Sequence, residues 1–75
     1  MKHNFSHMIH FLRKVGMTDA EIARASGTSA GIVSRVAKGL IPRYDVALGL
    51  IALYDERRAN LAALLGRDPM EAGHD

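Results

Sequence analysis

Two helix starts and two helix stops fall between Thr18 and Gly39, and few other regular structures fit so short a stretch. Thr18 followed by Glu21 is a capping box: the hydroxyl accepts from the N3 amide and the carboxylate from the cap amide. Met17 and Ile22 stand where a hydrophobic staple joins the two sides of such a start. Gly27 supplies a left-handed residue, so this helix runs only to about Ser26. Ser29 caps the next, which extends through Lys38 and closes at Gly39. Helices this short are not stable in isolation and depend on a core supplied by the rest of the chain.

The flanks offer that core. Phe5, Met8, Ile9 and Leu12 share one face of a helix that Asn4 caps and Gly16 closes near Val15. After Pro42, apolar residues recur at three- and four-residue steps from about Arg43 to Leu65: Val46, Leu50, Leu53, Tyr54, Leu61, Leu64 and Leu65. Their spacing permits one helix, or two broken near residues 55–60. No strand pattern, repeat or linker intervenes. The expectation is an all-α, compact four- to five-helix domain over residues 1–66, with residues 67–75 as a flexible tail.

Composition narrows what stabilises it. There are 75 residues and no cysteine, which excludes disulfides and the usual cysteine-based zinc sites. A core of this size supplies only ~3–5 kcal/mol, so regular helix packing or a second copy must add the rest. With 5% aromatic residues the core is aliphatic. The longest apolar run, Val46 to Tyr54, falls short of the ~20 residues of a membrane span. The first ten residues hold three histidines and no clean apolar stretch, unlike a signal peptide. A soluble cytoplasmic protein is expected, with no membrane partner.

Charge is uneven. Residues 13–43 carry Arg13, Lys14, Arg24, Arg35, Lys38 and Arg43 against Asp19 and Glu21, six against two, for a net of +4. Residues 44–75 carry six acids against Arg57, Arg58 and Arg67, for −3. The basic middle suits an anionic partner. Within it, Val33, Val36, Ala37 and Leu40 form the apolar side of the Ser29 helix. Gly31, Ser34, Arg35 and Lys38 form a polar side that contains no acid.

Catalytic and metal chemistry find little footing. His3, His7 and His10 share a helix face but have no carboxylate or cysteine beside them, so no metal is expected. Residues 27–31 are not a phosphate-binding loop, because no Gly-Lys-Ser/Thr follows. The serines have no base near them in sequence. Neither an enzyme nor a cofactor is expected.

The stretch TDAEIARASGTSAGIVSRVAKG, Thr18 to Gly39, resembles the lambda repressor/Cro-like (XRE-type) helix-turn-helix without a gap. The matching positions are Ile22 and Ala23, Gly27 in the turn, Ser29 at the cap, then Val33, Ser34, Arg35, Val36 and Gly39. The following IPRYDVALGLIALYD, Ile41 to Asp55, is similar to the segment after the motif in phage CII-type activators. The likeness implies a lambda repressor-like fold and a DNA-binding transcriptional regulator of a phage or mobile element. Nothing in the sequence marks a polymerase contact, so a repressor or autoregulator is expected rather than an activator.

Carried over by position, Ala30, Gly31, Ser34 and Arg35 would read bases. Arg35 would be the main reader, through a bidentate contact to guanine worth ~1–3 kcal/mol. Thr18, Ser29, Lys38 and Arg43 would meet phosphate. The family's two-fold contact falls on the Ala59–Leu65 region, giving a homodimer through Leu61, Leu64 and Leu65 on an inverted-repeat operator. Two departures stand out: Asp19 replaces the glutamine often found there and repels phosphate, and Ala30 and Gly31 stand where Gln or Arg often reads a base. These, with a net charge of +2, leave an alternative: a protein-binding module on the same fold that docks onto another regulator.

Overall fold

Three of the four described helix starts are held by the side chain of the cap residue. The computed structural model describes residues 4–66, and among them lie four α-helices and no strand. These are α1 (Phe5–Lys14), α2 (Asp19–Ser26), α3 (Ala30–Ala37) and α4 (Tyr44–Leu64). The expected tail at 67–75 and His3 lie outside the described residues. Asn4 Oδ1 accepts from the His7 amide at 3.0 Å to open α1. The Thr18–Glu21 box is complete at 2.9 and 3.1 Å, and Ser29 Oγ accepts from the Ile32 amide at 3.2 Å. At α4 the cap residue, Arg43, makes no side-chain cap bond; Asp45 in the first turn accepts from the Val46 amide instead, at 2.9 Å.

Gly27 adopts φ 83°, and the Ala23 carbonyl accepts from both the Gly27 and Thr28 amides. That double acceptance satisfies an orphan helix-end carbonyl and fixes the direction in which α3 leaves α2. Val33, Val36 and Ala37 of α3 then face inward against Ile9, Leu12, Ile22, Ala23, Val46, Leu50 and Leu53. Phe5, Phe11, Met17 and Ile32 pack on the edge of this cluster, so Met17 meets the core as a staple residue should. α1 and α2 each pack on both α3 and α4, whereas α3 and α4 touch each other least.

Leu40 departs from the face expected of it. It is 43% exposed, because it follows Gly39 at φ 120°, beyond the last helical residue, where the α3 periodicity no longer governs direction. The question left open at 55–60 resolves as a single helix. α4 has 21 residues, roughly 30 Å, while the others have ten or eight. Its closest neighbour is α2. A Cβ placed on Gly49 would stand 2.8 Å from the Ser26 carbonyl oxygen and 3.1 Å from Ser26 Cα. Only a residue without a side chain lets the two backbones approach this far.

The body ends before α4 does. Leu53 is the last buried residue of α4. Leu64 lies eighteen residues beyond Val46, five whole turns, and so continues the same inward stripe. Yet it is 84% exposed, and Leu65 is 69% exposed. Leu61 is half-buried beside Phe11 and Val15. The stripe outlasts the surface it packs on by about one turn.

Candidate nucleic-acid interface

α3 divides cleanly along its axis. Its inward residues Val33 and Val36 are 1% exposed, so its rotation about its own axis is fixed by packing. The C-terminal end is pinned as well: Ser6 Oγ of α1 donates to the Ala37 carbonyl at 2.7 Å, across 31 residues of sequence. The opposite face then has no freedom in where it points. On it Ala30, Gly31, Arg35 and Lys38 are exposed and Ser34 is half-buried. No ion pair engages Arg35 or Lys38 among the described residues. The four positions expected to read bases thus share one outward surface at the start and middle of α3.

The positions expected to meet phosphate are distributed around it. Thr18 and Ser29 cap α2 and α3, each hydroxyl oxygen accepting from an amide; the Thr18 hydroxyl also bonds the Glu21 carboxylate, whereas the Ser29 proton remains available for donation. Lys38 stands at the C-cap of α3. Arg43 contacts Asp45 at 3.3 Å, with both side chains mostly exposed. Such a surface pair is worth little, and an incoming anion can displace it.

Asp19 alters the expected electrostatics. The Asp19 carboxylate, expected to repel phosphate, is engaged at both oxygens by Arg13: Nε donates to Oδ1 at 2.8 Å and Nη2 to Oδ2 at 2.9 Å. The hydrogen bonds from Arg13 hold the Asp19 pKa below its usual value, against the opposing effect of desolvation. The same bonds raise the Arg13 pKa. Glu21 is also held low, chiefly by the Thr18 amide that donates to it. Both carboxylates near the α2 start are therefore ionised and engaged, and the repulsion expected from Asp19 is largely cancelled locally.

Three contributors carry no clear sequence signal: Ser6, which ties α1 to the end of α3; Arg13, which holds Asp19; and Gly49, which sets the approach of α4 to α2. His7 and His10 are exposed on α1, and no group of three metal-ligating side chains occurs among the described residues. No helix among the described residues is long and apolar enough to cross a membrane. Two exposed apolar areas remain. Leu40, Ile41, Tyr44 and Leu48 are exposed between the end of α3 and the first turns of α4, and Leu64 and Leu65 at the far end of α4. The chain matches no family model, and no similar curated protein or solved structure was found.

Proposed function

We propose that the chain is a sequence-specific DNA-binding regulator in which α2 and α3 act as a helix-turn-helix of the lambda repressor-like kind. The observation that carries it is the division of α3: one side wholly buried, the other exposed, free of acids and bearing unpaired Arg35 and Lys38. A helix presented in this way fits the ~12 Å major groove. Arg35 and Ser34 supply the donors for base edges, Ala30 an apolar contact to a thymine methyl, and Gly31 close approach. Thr18, Ser29, Lys38 and Arg43 hold the flanking phosphates. The exposed Leu64 and Leu65, with the half-buried Leu61 beside them, support a homodimer that spaces two α3 helices on an inverted repeat. Occupancy of a promoter then represses it. That the regulated genes belong to a phage or mobile element rests on the family resemblance alone.

Binding to random and selected duplexes across a salt series tests this. Arg35→Ala weakens the selected site by ~1–3 kcal/mol and relaxes preference at one base pair. Lys38→Ala weakens all duplexes alike and lowers the salt slope by about one unit. Equal effects of both substitutions on both duplexes would remove Arg35 from base reading.

A second function, docking onto another protein, draws support from the exposed Leu40, Ile41, Tyr44 and Leu48. Absence of any salt-dependent shift on random or genomic DNA, even at low ionic strength, would favour it over the first.

A further inference from the structure

We propose that Arg13 is an additional phosphate contact and that Asp19 is the residue that positions it. The inference rests on the DNA-binding function proposed above and adds a member to its contact surface. Arg13 lies in the last turn of α1, and Asp19 is the first residue of α2, next to the Thr18 cap. The two meet side-on, through Nε and Nη2 of the guanidinium and both carboxylate oxygens. A planar guanidinium has five N–H groups, and this pairing uses two of them from one edge. The Nη1 end is committed to no described residue. The side chains are 36% and 29% exposed, so the pair stands at the surface with part of each group in solvent.

The consequence is a guanidinium whose orientation is already fixed before any ligand arrives. An arginine on an exposed helix end ordinarily gives up side-chain freedom when it grips a phosphate. Here Asp19 has already restricted it, and the same carboxylate accepts charge-assisted bonds that hold the plane. Because the pair is neutral, it adds little long-range attraction. Its contribution is a directional donor within hydrogen-bond reach of a phosphate oxygen beside the α2 start. Asp19 thereby takes over, through Arg13, the task that a neutral amide side chain would perform directly at that position.

The double substitution Arg13→Ala with Asp19→Ala tests this without changing net charge and without placing an amide donor at either position. Duplex binding is measured by fluorescence anisotropy across a salt series, with circular dichroism melts to confirm that each variant is folded. If Arg13 grips a phosphate, the double variant loses severalfold in affinity for specific and random duplexes alike, with little change in salt slope because the pair it removes is neutral. If Arg13 serves only to neutralise Asp19, the double variant keeps wild-type affinity, and the inference is overturned. The single variant Asp19→Ala adds one positive charge and no hydrogen-bond donor. Binding no tighter than wild type supports positioning; tighter binding removes that role from Asp19. Lys38→Ala provides the control. A wild-type protein with no salt-dependent DNA binding overturns the DNA function and this contact together, whereas an affinity that responds to Lys38→Ala but not to the Arg13–Asp19 double substitution overturns this contact alone.

Discussion

Replacing Gly49 with alanine tests the closest approach in the fold. Alanine in a helix interior is favoured over glycine by roughly 0.5–1 kcal/mol, so at an open site the change is stabilising. At Gly49 the new Cβ would lie 2.8 Å from the Ser26 carbonyl oxygen and 3.1 Å from its Cα, both backbone atoms that cannot rotate away. α2 and α4 must separate by several tenths of an ångström, and overpacking of this kind costs about 1–3 kcal/mol. The net effect is a loss of about 1–2 kcal/mol, or a melting temperature lower by roughly 5–15 °C for a domain of this size. Gly31→Ala is the matched control. It too lies in a helix, but its new Cβ would meet only Ser29 Oγ at 3.9 Å, so that variant is as stable as wild type or more so. Urea denaturation followed at 222 nm gives both free energies. A Gly49→Ala protein at least as stable as Gly31→Ala, with an unchanged m-value, would refute the close approach.

Gly27→Val destabilises the whole domain, because a β-branched residue is poorly accommodated at φ 83°; an unchanged thermal melt would show that the turn has another conformation. Leu64→Glu leaves a folded monomer with much weaker binding to an inverted repeat, since dimerisation would bury an unpaired carboxylate at a cost of several kcal/mol. Sedimentation of the wild type as a monomer at micromolar concentration would count against the dimer, and unfolding of the variant against the exposure of Leu64. For pH, Asp19 and Glu21 both have folded pKa values below the ordinary 3.8 and 4.5. Their stabilising contribution is therefore complete above the ordinary values and is lost as pH falls through the lower folded ones. Melting temperatures taken downward from pH 6 remain level and then fall below about pH 4.5, with a shallower fall in Asp19→Asn; equal slopes in the two proteins would deny the pair this role.

The features legible in the sequence are those decided within four or five residues. Capping at Thr18 and Ser29 and reversal at Gly27 are local hydrogen-bond chemistry, and they hold in the structure with the expected partners. The residues that would read bases share the face expected of them because α3 keeps its period from cap to end. Leu40 lies one residue past a left-handed glycine and escapes that period. The Arg13 partner of Asp19 is not legible because it sits six residues earlier, across the Gly16 turn, where no helical spacing rule connects them. Gly49 looks like a weak point in an apolar helix until Ser26, from another element, arrives against it. The end of α4 shows a further limit: periodicity tells which way Leu64 points, but not that the body has already stopped.

The outer face of α3 has one more consequence, for how such a domain can diverge. Ala30, Gly31, Arg35 and Lys38 are exposed, Ser34 is half-buried, and their side chains make no bond that holds the fold. Substitutions at exposed positions of this kind usually change stability by no more than about 0.5 kcal/mol. Orientation of the helix is delegated elsewhere, to Val33 and Val36 beneath and to Ser6 at its end. The surface is therefore a free cassette: its residues can be exchanged in combination while the scaffold beneath keeps them on the same platform. Ser29 is the exception at its edge, since the hydroxyl that caps the helix is also exposed, and descendants that alter this face are constrained there first.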